Sequence, residues 1–275
     1  PYKGKFHPQM IRELLNIIKI KKGETLLDPF VGSGTAILEA KLLGINGIGV
    51  DISPLCVLIS KVKTESVDVL NEIKTYKEFY LFKKGERETN DERVQNFYRV
   101  AEMMAHSDES RRGKSFETSY ISDALKMLAS VEDYDRARKQ FNLQLGKSEI
   151  IKGDSRKINV ADESVDGIIT SPPYSIALNY VANDAHSLQA LGYDLNQIKE
   201  DFIGVRGAGL AKFKLYDEDM EKAYSEMYRV LKKEKYCVIV IGNVTFQNQE
   251  INTAQNVVKF CERIGFKTIK KMEKI

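Results

Sequence analysis

Hydrophobic and polar positions along the chain alternate between two periods. Ile11, Leu14, Leu15 and Ile18 recur at helical spacing after Pro8, which suits a first helical position. Thr25-Leu26-Leu27-Asp28 is a short apolar run that reads as a strand. It leads into Pro29-Phe30-Val31-Gly32-Ser33-Gly34-Thr35 and a helix carrying Ala36, Leu38, Ala40 and Leu42, stopped by Gly44. Gly47-Ile48-Gly49-Val50 reads as a second strand ending on Asp51, and Ser53-Pro54 caps and opens the next helix. Strand, glycine turn, helix, strand and acidic residue form the opening of a doubly wound α/β domain.

The rhythm then breaks. Residues 66–147 read as helices and loops, with Val94, Phe97, Tyr98, Ala101 and Ala105 on one helical face. Phe116, Tyr120, Ala124, Met127 and Val131 share another. The α/β pattern resumes at Glu149 to Asp154. A strand over Val165–Thr170 runs into Ser171-Pro172-Pro173-Tyr174. Two successive prolines supply no N–H donors, so the chain leaves the sheet there in a stiff, extended turn. Further on, the pattern predicts a helix near 183–191 and a loose basic loop over 204–214. A helix over 217–231, a strand over 236–241, a helix over 253–264 and a last strand over 266–272 complete it. Three units follow: residues 1–65, the first half of an α/β core; residues 66–147, a helical insertion suited to substrate recognition; and residues 148–275, the second half of the core.

Composition narrows the classes. A formal net charge of +3, from 42 Lys+Arg and 39 Asp+Glu, permits a nucleic-acid partner without requiring one. The three cysteines show no CxxC pair and the three histidines are dispersed, so no metal site or disulfide framework is expected. A reducing, cytoplasmic setting is expected, with no membrane span. Oligomeric state stays open. Basic positions that suit phosphates are Arg111, Arg112 and Lys114 between the two insertion helices, and Arg206 and Lys212 in the basic loop. Each is equally compatible with a solvated surface.

The glycine turn lacks the lysine of a phosphate loop and the third glycine of a dinucleotide fingerprint. Gly32 and Gly34 still allow close backbone approach to a ligand. Asp28 before the turn can accept an ammonium, Asp51 a ribose diol, and Asp154 the exocyclic amine of adenine. Any one of them is also an ordinary cap at a strand-to-helix junction. Together and in this order they suit S-adenosylmethionine, with Pro29, Phe30, Ser33, Thr35, Ile52 and Ser155 beside them.

Asp28-Pro-Phe-Val-Gly-Ser-Gly-Thr35 together with Ser171-Pro-Pro-Tyr174 resembles the S-adenosylmethionine-dependent amino-methyltransferases of nucleic-acid bases. Gly4-Lys5-Phe6-His7-Pro8 is similar to their N-terminal cofactor-binding piece. The resemblance spans the α/β core and leaves out the helical insertion. It implies a Rossmann-like sheet, a cofactor over Phe30 to Gly34 and a flipped base against Tyr174. Ser171 at the head of the Pro-Pro-Tyr turn implies N4 of cytosine, where aspartate or asparagine would imply N6 of adenine or N2 of guanine. Structured RNA and DNA are both open as the polymer. A non-catalytic nucleic-acid-binding relative and a small-molecule or protein N-methyltransferase are the readings of other classes. The family sheet has seven strands, the last paired antiparallel. Either a strand is hidden in this reading or residues continue beyond Ile275. The opening Pro1, in place of Met, leaves room for residues upstream.

Overall fold

The computed structural model describes residues 6–83, 88–173, 180–207, 209–242, 244–246 and 249–272. Tyr174 and residues 1–5 lie outside them. Helix α1 (Pro8–Ile17) packs its buried Ile11, Leu14 and Leu15 against α2 (Thr35–Leu42), the helix that follows β1 (Thr25–Asp28). After β2 (Asn46–Asp51), Ser53 accepts the Cys56 N–H at 3.4 Å and Pro54 opens α3 (Pro54–Glu65). A 3-10 turn (Ser66–Val69) leads to α4 (Leu70–Thr75), α5 (Lys77–Phe82), α6 (Glu92–Arg112) and α7 (Phe116–Gln140). Strands β3 (Ser148–Lys152) and β4 (Val165–Thr170) follow.

After the Ser-Pro-Pro turn come α8 (Tyr180–Asn183), α9 (Ala185–Ala190), α10 (Leu195–Asp201) and α11 (Gly209–Val230). Next are β5 (Leu231–Ile239), β6 (Val244–Phe246), β7 (Gln249–Ile251) and α12 (Thr253–Ile264). The main sheet has the order β3-β2-β1-β4-β5 with all four pairings parallel, and β6 and β7 form a separate antiparallel pair. This is a mixed α/β, Rossmann-like layout: a parallel sheet with helices around it. Its chain order reverses between β1 and β4, the point where open sheets of this kind offer a crevice at their carboxyl ends.

Leu27, Val50, Val165 and Ile168 of the sheet pack with α11 and α12, and Leu26, Ile150 and Ile169 pack with α1 and α2. A third core joins α3, α6 and α7 to Val181, Leu188, Ile198 and Phe202. The helices between β2 and β3 therefore share one apolar interior with the segment that follows the Ser-Pro-Pro turn.

The helix expected over 183–191 forms as α9, with the short α8 ahead of it across Asp184. Three other expectations are corrected. The loop expected over 204–214 ends by Gly207, and Lys212 and Lys214 stand on α11. The strand expected over 236–241 starts at Leu231. No strand forms over 266–272; Ile269 is 68% exposed there, so its side chain has no sheet face to cover.

Candidate active site

Strand order brings the carboxyl ends of β3, β2, β1 and β4 side by side, which sets Asp154, Asp51, Asp28 and Ser171 along one edge. The glycine turn is shaped by its backbone. Gly32 and Gly34 have φ of 51° and 74°, and a Cβ on Gly34 would lie 3.0 Å from Ser60 of α3. Ser60 Oγ donates to the Gly32 carbonyl at 2.8 Å. The turn is thus held from below by a serine that its own sequence does not announce.

Asp28 is 1% exposed. Its Oδ1 accepts from the Phe30 N–H at 3.1 Å and from Thr170 Oγ1 at 2.7 Å. Oδ2 is buried and, among the described residues, has no hydrogen-bond partner. Burial pushes this carboxyl up to about 7 despite those two donors, with a smaller contribution from Asp51. An orphaned buried oxygen of that kind is costly unless a donor reaches it.

Asp51 accepts from the Gly32 N–H at 2.9 Å and from the Ser53 N–H at 2.9 Å. Burial also raises it, to about 6, against those hydrogen bonds and with added repulsion from Asp184. Asp184, at the junction of α8 and α9, is itself raised to about 6 by burial, an effect the charge of Arg111 opposes. Arg111 therefore sits within the electrostatic field of the cleft.

Asp154 is gripped by Arg156. The Arg156 Nε donates at 2.9 Å to each carboxylate oxygen, Nη2 donates to Oδ2 at 2.7 Å, and the Arg156 N–H donates to Oδ1 at 2.9 Å. Beside it opens a pocket of about 240 Å³ walled by Ile52, Pro54, Tyr193, Ile198 and Phe202, with Asp154 on its rim. Ser155 and the turn residues Pro29, Ser33 and Thr35 are buried, while Phe30 is half-buried. Thr35 Oγ1 accepts from Lys63 Nζ at 3.1 Å.

At the turn after β4, Pro172 is buried and Ser171 and Pro173 are half-buried. The Pro173 carbonyl accepts the Tyr216 hydroxyl of α11 at 2.9 Å. Thr170 precedes Ser171 directly, so its bond to Asp28 ties the two sequence motifs together across adjacent strands.

The remaining candidates are more scattered. Phe6 packs against the α1–α2 core, whereas His7 and Pro8 are exposed. Arg112 and Lys114 are exposed and both pair with Asp108, at 3.0 and 2.8 Å. Arg206 forms an ion pair with Asp219, which is 2% exposed and also pairs with Arg156. Lys212 is half-buried on α11. Among the described residues no group of three His, Cys, Asp or Glu side chains is placed to hold a metal ion, and no helix is long and apolar enough to cross a membrane. Sequence reading missed Thr170, Arg156, Asp184, Tyr216 and Asp219. A polar residue closing an apolar strand is the signal for Thr170, and an arginine two residues after a strand-end aspartate is the signal for Arg156.

Residues 1–62 match the family model described as DNA methylase, of the N6/N4 type. The type II methyltransferase M.MjaII of Methanocaldococcus jannaschii is 45% identical over 69 residues, 25% of this chain and 13% of its own length. M.BsoBI of Geobacillus stearothermophilus, another type II methyltransferase, is 42% identical over 81 residues, 29% of this chain and 16% of its own. A tRNA (guanine(10)-N2)-dimethyltransferase of Methanothermobacter thermautotrophicus is 39% identical over 51 residues, 18% of this chain and 15% of its own. Each match thus spans a small fraction of the relative. Among solved structures, a SAM dependent methyltransferase from Aquifex aeolicus aligns over 97% of this chain and 92% of its own, at 12% identity and a TM-score of 0.40.

Proposed function

We propose that the protein is an S-adenosylmethionine-dependent methyltransferase acting on an exocyclic amine of a nucleic-acid base, N4 of cytosine in the first instance. The observation that carries this is the 2.7 Å bond from Thr170 to Asp28, with the second Asp28 oxygen left buried and open. That bond seats the Ser-Pro-Pro turn against the glycine turn, and the open oxygen is the acceptor an ammonium needs. The matches of residues 1–62 to the DNA methylase model and of short segments to type II enzymes support the same reading.

The residues fit the cofactor by their chemistry. Asp28 would hold its amino group, Asp51 its ribose hydroxyls, and the Ile52–Phe202 pocket with Asp154 its adenine. Gly32 and Gly34, without side chains, leave room for close approach. When bound, the cofactor supplies an electrophilic methyl group on a sulfonium. The protein's own task lies with the acceptor. A base amine conjugated to its ring is a weak nucleophile. The Ser171 hydroxyl and the carbonyls of the Pro172-Pro173 turn accept its hydrogens and orient its lone pair. Tyr174, outside the described residues, would stack on an extruded base. The released proton leaves through those acceptors to water. The chain offers buried thiols at Cys56 and Cys261, and burial lifts Cys261 to about 12. A thiolate adduct of the kind used to methylate ring carbons therefore has no prepared nucleophile there.

Ser171 favours cytosine, and residues 66–147 with Arg111, Arg112 and Lys114 are proposed to contact the polymer. The similarity to tRNA guanine-N2 enzymes supports a second reading, N2 of guanine in RNA. Methyl transfer from tritiated cofactor to duplex DNA and to total RNA, followed by nucleoside analysis, separates the two.

A further inference from the structure

Two consecutive prolines deprive the acceptor turn of N–H groups at 172 and 173, so backbone bonds from those residues cannot fix it. Its stiffness along the chain says nothing about its position across the cleft. The hydroxyl that holds it comes from elsewhere: Tyr216 of α11, 6% exposed, donates to the Pro173 carbonyl at 2.9 Å.

One helical turn further along α11, on the same face, stands Asp219. It is 2% exposed and pairs with Arg206 and with Arg156, the latter at 3.1 Å. A carboxylate so buried persists only with such partners. Arg156 spends its remaining donors on Asp154 and on the Asp201 carbonyl at 3.0 Å, and both of those residues border the pocket. A mechanical path thus runs from the acceptor turn through the Tyr216 hydrogen bond, along one turn of helix to Asp219, and through its ion pair with Arg156 to the pocket.

We infer that Tyr216 and Asp219 are positioning residues, and that α11 acts as a splint setting the acceptor turn at a fixed distance from the Asp154 end of the cleft. This rests on the methyltransferase reading above. Neither side chain touches a reacting atom; each acts through the group it holds, Tyr216 through the Pro173 carbonyl and Asp219 through Arg156.

The test uses the intact chain and three proteins: wild type, Tyr216→Phe and Asp219→Asn. Tyr216→Phe keeps the ring and its packing and removes one hydroxyl. Calorimetry with S-adenosylhomocysteine should give a Kd within twofold of wild type. Steady-state methyl transfer to whichever of duplex DNA or total RNA the wild type modifies should show kcat down about tenfold, with melting temperature unchanged. Hydrogen exchange supplies a readout independent of any polymer. Adding S-adenosylhomocysteine should protect the Ser171 amide and those of α8 in wild type and not in Tyr216→Phe. Asp219→Asn should weaken S-adenosylhomocysteine binding at least fivefold. A Tyr216→Phe protein with wild-type kcat and wild-type protection overturns the splint and leaves the methyltransferase reading standing. A wild-type protein that binds no S-adenosylhomocysteine overturns that reading and the splint with it.

Discussion

Asp28→Asn should make the protein more stable and less able to bind its cofactor. Burial raises the Asp28 carboxyl from its ordinary 3.8 to about 7. At ~1.4 kcal/mol per pH unit, that difference amounts to on the order of 4 kcal/mol. The folded pKa lies above the unfolded one, so the folded protein binds this proton more tightly than the unfolded chain. The associated stability is complete below about pH 4. It is lost as pH rises toward 7, where the charged form must be carried in a buried place. Asparagine is nearly the same shape and never ionises. Its Oδ1 can keep the Phe30 N–H and the Thr170 hydroxyl, so little hydrogen bonding is lost. A gain of about 2–4 kcal/mol at pH 8 should therefore appear, worth several degrees in Tm for a chain of this size, and should shrink toward pH 4.5. The open Oδ2 becomes an amide nitrogen, a donor facing a donor, so S-adenosylhomocysteine affinity should fall more than tenfold. Calorimetric melts at pH 4.5 and 8, with titrations alongside, check both halves. A variant no more stable than wild type at pH 8, or one that binds equally well, refutes the reasoning. A trade of stability for function is expected where a buried carboxyl with one unpartnered oxygen serves binding.

Other outcomes follow from the same geometry. In wild type, an ammonium meeting Asp28 should displace its proton, so S-adenosylhomocysteine affinity should rise between pH 6 and 8. Titrations in buffers of different ionisation enthalpy should show up to about one proton released per ligand, as linkage requires. Gly34→Ala forces a side chain into positive φ and within 3.0 Å of Ser60, and should cost about 1–3 kcal/mol in denaturant titrations, with loss of cofactor binding. Arg112→Ala with Lys114→Ala removes two exposed partners of Asp108 and should change stability by under ~0.5 kcal/mol, while lowering the salt dependence of nucleic-acid binding. Tyr174→Ala should lose most turnover and keep S-adenosylhomocysteine affinity; equal loss of both would mark Tyr174 as structural.

Much of the core was legible because local signals and burial agree there. β1, the glycine turn, α2, β2 and the Ser53-Pro54 helix start follow from period, glycine and capping chemistry. What escaped depends on contacts distant in sequence. Thr170 meets Asp28 across 142 positions, and Tyr216 meets Pro173 across 43; neither is written in a local pattern. The first two turns of α11 read as a loop because Gly207, Gly209 and the lysines suggest one. Tyr216, Met220 and Tyr224 bury a face that outweighs that propensity. Arg206 looked free in a basic stretch, yet a buried Asp219 claims it. Residues 266–272 place Phe266, Ile269 and Met272 at intervals of three rather than two, and they form no strand, with Ile269 exposed.

The most direct measurement is identification of the methylated nucleoside after the protein, tritiated S-adenosylmethionine and either duplex DNA or total RNA are incubated together. Label in N4-methylcytidine or its deoxy form is the predicted result. Label in N6-methyladenosine or N2-methylguanosine, or in the corresponding deoxynucleosides, would contradict the role given to Ser171. No label in any nucleoside would contradict the proposed transfer itself.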